Sequence, residues 1–474
     1  MYNNRVLILM LFAATAITML SCGTSRNLDI ERGTGYNFQA GHPEYRTSVF
    51  AYMDEEEGTL LEIGAKIVKG SLIYKDEDDT LQARIAIEYQ VRDLDNNNNV
   101  IISEQSTEII KSADQDINST RETLDLNYTH PIDPGRYEVV VNVTDLNTNK
   151  NITQTVQTAI PETQKGEYSL SNVQMDGKIV GEGGWEPIST YDVKSKVDSL
   201  RFVFQVISPQ TDKRMEVNTR LLRYESDTSY TRPMHFSNYS PSSIEYKGLD
   251  YDEETELQSN RRVLTDYAST FIEFKFANQE RGNYRFEVRA LRDGDEEELF
   301  KARDFGVKSK NYPAVQSARE LARPLVYLMG EDDHEELMKI SNNDSLKKEV
   351  DRFWLKNVGN ANEARHVIEM YYERVEEANK QFSNFKEGWK TDLGMIYVLF
   401  GRPWYTRSHL KELAWFYSYN HSDPEYSYYF NQPKLKNKFF PFYHYLLRRN
   451  NYYYTVQYMQ RQLWLTGQIL TRQI

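Results

Sequence analysis

The sequence predicts a mixed, multidomain protein: two tandem immunoglobulin-like β-sandwiches followed by an α+β domain. Three observations carry this expectation. Apolar residues alternate with period two in several runs before residue 312, as in strands with one buried face. A Gly-x-Tyr corner opens such a run twice, at Gly135-Arg136-Tyr137 and at Gly282-Asn283-Tyr284. After Tyr312-Pro313 the apolar residues recur instead at helical spacing.

Arg5 is the one charge in the first twenty-five residues, and an apolar run of about fifteen residues follows from Val6 to Leu20. That run is shorter than the ~20 residues a helix needs to span a bilayer, and small residues close it. Residues 1–21 therefore read as a signal peptide. Met19-Leu20-Ser21-Cys22 resembles the bacterial lipobox, which implies cleavage before Cys22 and acylation of its sulfur. Acyl chains add ~0.8 kcal/mol of membrane affinity per buried CH2, so the first implied partner is a membrane. Cys22 is the only cysteine, so no disulfide forms within one chain, and acylation leaves no thiol for catalysis or zinc. An exported body without disulfides must fold on apolar burial in real domains. Residues 22–45 are rich in turn-formers and have no period, which predicts a lipidated tether spacing the body from the membrane.

The formal charge is −13, yet residues 402–474 carry ten Lys/Arg against three Asp/Glu. An acidic body with a basic tail suits either a binding face or a solvated rim, and argues against nucleic acid for an exported chain.

Residues 46–161 predict the first sandwich. In RIAIEYQVR, Ile85, Ile87, Tyr89 and Val91 share one face, and the DLDNNNNV that follows turns the chain. Residues 162–312 predict the second. Leu200, Phe202, Phe204 and Val206 share a face, as do Ile272, Phe274 and Phe276. The polar stretch from Tyr224 to Asn260 is expected as an extended loop or hairpin on this sandwich.

Residues 313–474 form the last predicted domain. Ala364, Val367, Ile368, Tyr371, Val375, Ala378 and Phe382 make the stripe of a long amphipathic helix over about 360–386. Shorter helices are expected at Ser317–Arg323, Asp332–Ile340 and Ser345–Trp354, the last with Ser345 as N-cap. Gly388 suits the left-handed position after the long helix, Trp389 folds back onto its stripe, and Asp392 with Gly394 suits a tight turn. MIYVLF then reads as a strand, with ELAWFYSY as its return in a hairpin.

Gly388-Trp389-Lys390-Thr391-Asp392, preceded by NEAR…YYERVEEAN and followed by IYVLFGRP, resembles the GWxTD domain family of Bacteroidota and related bacteria. The resemblance covers about the last third of the chain. It implies an exported, often lipid-anchored protein with β-sandwich modules ahead of the domain, and it brings no established activity. Within it, Gly388, Trp389, Thr391 and Asp392 are expected to be structural. The family usually has an acid after the Gly-x-Pro turn, where this chain has Trp404-Tyr405.

DDHEELMKI lacks the second histidine of a zinc protease, and no Gly-x-Ser-x-Gly elbow or phosphate-binding glycine loop is present. The acids Asp332-Asp333 and Glu335-Glu336 read as a solvated helix start. YKDEDDTL lacks the alternating ligands of a calcium loop. An acid–base pair of Asp392 with His366 or His409 is the one enzymatic arrangement the motif offers. No catalytic residue, metal or cofactor is assigned.

The C-terminal FFPFYHYLLRRNNYYYTVQYMQRQLWL is crowded with aromatics, and Arg448, Arg449, Arg461, Tyr452 and Tyr453 are its candidate partner surface. The same residues also suit a core, or a patch facing anionic headgroups. Asp79-Thr80-Leu81, Asp198-Ser199-Leu200 and Asp344-Ser345-Leu346 resemble the short Bacteroidota O-glycosylation sequon, with Thr80, Ser199 and Ser345 as acceptors. The functional expectation is a non-catalytic protein lipid-anchored at the outer membrane, on its periplasmic face, docking an assembly or secretion partner. Its rivals are an envelope hydrolase working at the GWKTD corner and a carbohydrate-binding surface lipoprotein.

Overall fold

The computed structural model describes residues 29–33, 38–39, 41–54, 56–77, 80–113, 117, 122–160, 168–179, 181, 183–193, 197–207, 213–236, 248–265, 269–409, 412–418, 425–433, 442 and 444–471. Cys22 and the signal peptide lie outside the described residues. The chain is a multidomain protein of β-sandwiches followed by an α+β region.

In the first sandwich, strands Tyr45–Asp54, Gly58–Val68 and Thr123–Pro131 form one sheet. The other is built on Thr80–Asp93, flanked by Asn99–Ser112 and by Gly135–Asp145 with Lys150–Ile160. The period-two faces become the core: Ile85, Ile87, Tyr89 and Val91 are at most 1% exposed, packed with Leu61 and Ile63 of the facing sheet.

The second sandwich sets Gln174–Ile179, Val197–Ile207 and Ser269–Ala277 against Met215–Ser226, Leu249–Leu264, Gly282–Arg292 and Leu299–Val307. Phe202 of one sheet stacks on Phe286 of the other with ring centroids 4.4 Å apart. The repeated Gly-x-Tyr corner has one physical cause in both sandwiches. The Tyr137 hydroxyl donates to the Asp133 carbonyl at 2.9 Å, and Tyr284 to that of Glu280 at 2.6 Å. Each ring folds back over its own glycine. A Cβ at Gly135 or Gly282 would lie 3.2 or 3.1 Å from the tyrosine oxygen.

Two expectations about the connecting segments change. The segment read as a free tether is docked where it is described. Ile30–Glu31 adds a parallel strand to Leu299–Val307, and Arg32 reaches Asp304 at 3.3 Å. Short segments can be held by backbone pairing that apolar periodicity does not report. The insert after Tyr224 splits. Leu249–Leu264 returns as a long hairpin strand on Met215–Ser226, while Met234, ahead of it, is wholly buried in the core of the C-terminal domain.

That domain begins with α1 (Ala318–Ala322), whose N-cap Ser317 and Glu320 form a capping box. Next come α2 (Glu331–Lys339), α3 (Asn343–Val358) and α4 (Ala361–Phe382). Asn342, not Ser345, caps α3; its side chain accepts the Ser345 N–H. The α4 stripe is the core face as expected, and the helix stops at Phe382. The MIYVLF reading is overturned: Asp392–Phe400 is a helix, α5, with every residue buried. A run enclosed on all sides carries no polar face, so alternation cannot separate strand from helix there. Glu412–Tyr417 accordingly pairs not with MIYVLF but with Tyr405–His409 and Tyr426–Asn431. Helix α6 (Tyr453–Leu465) closes the domain, its Gln460 and Trp464 side chains donating to the Leu399 carbonyl at the end of α5. No helix among the described residues is long and apolar enough to cross a membrane.

Candidate functional site

The GWKTD corner sits between α4 and α5 and owes its shape to two close backbone approaches. Gly388 opens a single turn of 3-10 helix packed on α4, where a Cβ would fall 1.9 Å from the Ala378 carbonyl oxygen. Gly394 presses α5 onto that turn, and a Cβ there would fall 1.9 Å from the Gly388 oxygen. Gly388 is therefore required by contact rather than by a left-handed conformation. Trp389 is buried as expected, its ring 5.5 Å from Tyr230 and 6.0 Å from Tyr327, with the Tyr327 hydroxyl donating to its carbonyl at 2.6 Å. Thr391 is the N-cap of α5. Its hydroxyl donates to the Gly388 carbonyl at 2.7 Å and accepts the Gly394 N–H at 3.0 Å, which joins the turn to the helix.

Asp392 does not make the turn expected of it. Its carboxylate is the hub of a buried node. Oδ2 accepts the Leu447 N–H at 2.6 Å and Arg449 Nη1 at 2.7 Å; Oδ1 accepts Arg449 Nη2 at 2.9 Å and the Thr231 hydroxyl. The two side chains are 2% and 3% exposed. Burial pushes the Asp392 pKa up, but the Arg449 charge and the converging hydrogen bonds outweigh it and hold the carboxyl below its ordinary range. Arg449 also donates to the carbonyls of Arg232 and Pro233 at 3.0 and 3.1 Å. One ion pair thus fastens the motif, the C-terminal segment and the 231–234 loop of the second sandwich.

Around it runs a polar seam between that sandwich and the C-terminal domain. Glu387 takes Arg281 at 2.6 Å and Lys390 at 2.8 Å. Burial raises the Glu387 carboxyl, but its two cations more than offset this and keep it low; burial brings Lys390 down to about 8. Lys386 pairs with Asp227 at 2.9 Å, and Lys308 with Asp192 at 3.3 Å. The Tyr312 hydroxyl donates to Asp192 at 2.9 Å. His444 lies 2.9 Å from Asn384, and burial first, then the Lys386 charge, drives its pKa down to about 3.

The other candidates fall as follows. His366 is exposed on α4, 3.5 Å from Glu369, and His409 is exposed at the end of its strand, so neither forms the acid–base pair with Asp392. Of the candidate partner surface, Arg449 and Tyr453 are buried, and Arg461 is turned inward to the Leu328 carbonyl at 2.7 Å. These three are structural. Tyr453 belongs to the buried face of α6, while Arg449 carries a charge the sequence could not show to be matched. Arg448 and Tyr452 are exposed, Arg448 pairing with Glu412 at 2.7 Å. Sequence reasoning missed the outward row on α6, where Tyr454, Tyr458 and Met459 are each more than half exposed. Their spacing along the helix was the available signal. Ser345 is exposed in the first turn of α3, whereas Thr80 and Ser199 are half-buried in strands. Among the described residues no group of three or more His, Cys, Asp or Glu is arranged to hold a metal.

Comparison with known proteins gives one informative match. The family described as the GWxTD domain matches residues 292–466, beginning at the last residue of the Gly282–Arg292 strand. No curated protein matches. Solved structures with some likeness include red sea bream transglutaminase, at 10% identity and TM-score 0.19, over 56% of this chain and 31% of that one. Native Escherichia coli alpha-2-macroglobulin matches at 12% identity and TM-score 0.18, over 56% of this chain and 16% of its own. A protein titled BspA_C_mut matches at 9% identity and TM-score 0.16, over 56% of this chain and 99% of its own. This chain thus spans less than a third of the first two proteins, and likeness at these scores says nothing of activity. Motif, surroundings and family match agree: the chain is a GWxTD domain-containing protein.

Proposed function

We propose that this is a non-catalytic lipoprotein of a Bacteroidota envelope, anchored through acylated Cys22 on the periplasmic face of the outer membrane. It docks a protein partner in an assembly or secretion complex. The observation that supports a positional role is the saturation of the GWKTD corner. Both titratable motif residues are buried and engaged: Asp392 by Arg449, Leu447 and Thr231, and Lys390 by Glu387. A carboxylate so held is a fastener, and it disfavours the hydrolase reading. Binding then falls to exposed surface, and the row of Tyr454, Tyr458 and Met459 beside Tyr452 has the composition of a docking face.

The test is affinity isolation of the full chain from solubilised membranes, with a Tyr454→Ser/Tyr458→Ser variant alongside. A stoichiometric protein retained by the wild type and lost from the folded variant is the expected result. Retention of envelope glycan instead, or turnover abolished by Asp392→Asn in a folded chain, overturns the proposal in favour of a rival.

A further inference from the structure

We infer that the end of the second sandwich formed by the Arg292–Leu299 turn faces the lipid surface, and that the α+β region from residue 313 onward, which carries the GWKTD corner, stands on the membrane-distal side. The inference rests on the acylation of Cys22 proposed above and adds the orientation in which the anchor holds the body.

The first support is the direction of the docked leader. Ile30 pairs with Ala302 and Glu31 with Arg303 in a parallel ladder. The Asp29 carbonyl accepts the Ala302 N–H at 2.8 Å, and its carboxylate meets Lys301 at 3.0 Å. Because the pairing is parallel, Asp29 is the end of the described leader nearer the Leu299 end of the Leu299–Val307 strand. Six residues, and so seven Cα–Cα steps, separate Cys22 from Asp29. They span at most about 25 Å even when fully extended.

The second support is where the α+β region attaches. Gly282 pairs with Val307, and Ala290 with Leu299, at opposite ends of the same two strands. All the named contacts to the α+β region from these strands and their continuations are at the Val307 end. Asn283 donates to the Phe385 carbonyl at 3.0 Å, Arg281 meets Glu387, and Lys308 reaches the Asn384 carbonyl. Leu299–Val307 has nine residues. Asp29 lies level with Lys301, six residues before Val307, so at about 3.3 Å per residue roughly 20 Å of sandwich lies between the leader's exit and the α+β region. The opposite orientation needs the leash to double back along the sandwich and use most of its reach.

The leader is also held further along. Lys380 of α4 pairs with Glu44 at 3.1 Å and lies over the Phe38 ring at 4.8 Å, and Tyr45 enters the first core. The described residues between Asp29 and Tyr45 therefore touch all three domains, which argues against a body pivoting on a loose spacer. The proximal turn exposes Asp293, Glu296, Glu297 and Glu298. That end does not insert among anionic headgroups. It stands off by about a Debye length, ~8 Å at physiological salt, which the leash spans. The exposed tyrosines of α6 are then kept for a partner rather than for lipid.

The chain from Cys22 onward supplies its own test, because its one cysteine can be coupled to a maleimide lipid without any cellular acylation. Coupled to phosphatidylethanolamine/phosphatidylglycerol vesicles that carry a lipid whose diazirine sits on a headgroup spacer long enough to cross that stand-off, it is illuminated and the cross-linked peptides are identified by mass spectrometry. Peptides spanning 292–299 should be labelled severalfold more than those spanning 392–409 or 453–465. Equal labelling, or an excess on the α+β region, overturns the orientation. Inserting about 20 Gly/Ser residues after Leu28 adds roughly 25 Å of root-mean-square reach and should even out the pattern; a pattern it leaves unchanged also overturns the inference. Palmitate labelling in cells reads the anchor separately. Wild type and Cys22→Ala labelled alike removes the anchor, whereas Cys22-dependent label with an even cross-link pattern removes the orientation alone.

Discussion

Replacing Asp392 with alanine strands the Arg449 guanidinium in a site where it is 2% exposed. It also leaves the Leu447 N–H without the acceptor it meets at 2.6 Å. Removing one member of a buried, hydrogen-bonded pair costs about 3–5 kcal/mol, mostly from the charge left behind. Arg449 keeps the carbonyls of Arg232, Pro233 and Leu447, which places the expected loss near the lower end, at about 3 kcal/mol. At about 2–4 °C per kcal/mol for a domain of this size, the midpoint should fall by roughly 6–12 °C. Arg449→Met should cost at least as much. The double variant Asp392→Leu/Arg449→Met removes both charges together, and should lie within about 1–2 kcal/mol of the wild type, because the desolvation of both ions is relieved. Urea unfolding followed by tryptophan fluorescence, with Trp389 packed beside the node, reads all three. A loss below about 1 kcal/mol for Asp392→Ala, or single effects that simply add in the double variant, would refute the fastener.

Three further outcomes follow from the same packing. Stability should fall as pH is lowered from 7 through the ordinary histidine range, because His444 titrates near 6.5 when unfolded but at about 3 when folded. Between those values the unfolded chain binds the extra proton, so at pH 5 about 2 kcal/mol is lost; His444→Gln should flatten that slope in pH-dependent urea melts, and an unaltered slope removes the assignment. Gly388→Ala should abolish folding of the C-terminal domain, its Cβ being 1.9 Å from a backbone oxygen, whereas Gly359→Ala, with open space and φ +76°, should cost only about 1 kcal/mol. Circular dichroism melts of the two would separate contact from conformation. Tyr137→Phe and Tyr284→Phe should each lose about 1 kcal/mol, the worth of one intramolecular hydrogen bond, and an effect at one corner alone would show that the repeat is not energetic.

What the sequence determined by itself is what neighbouring residues dictate. Alternation placed Ile85 to Val91 and Leu200 to Val206 in two cores, the 3.6-residue stripe placed α4, and the Gly-x-Tyr corner appeared twice because its hydrogen bond closes over four residues. The GWKTD segment was legible as a structural corner, with Trp389 in the core. Tertiary structure alone decided the rest, for a reason common to each case. Asp392 meets Arg449, 57 residues on, and Thr231, 161 residues back, and no local pattern reports such a pairing. MIYVLF is a helix because it is enclosed on every side, which erases the polar face that periodicity needs. Ile30–Glu31 is a strand because the edge of Leu299–Val307 offers it backbone partners. Local sequence sets which face of a segment is apolar, while the burial and pairing of charges across domains depend on what the folded chain brings alongside.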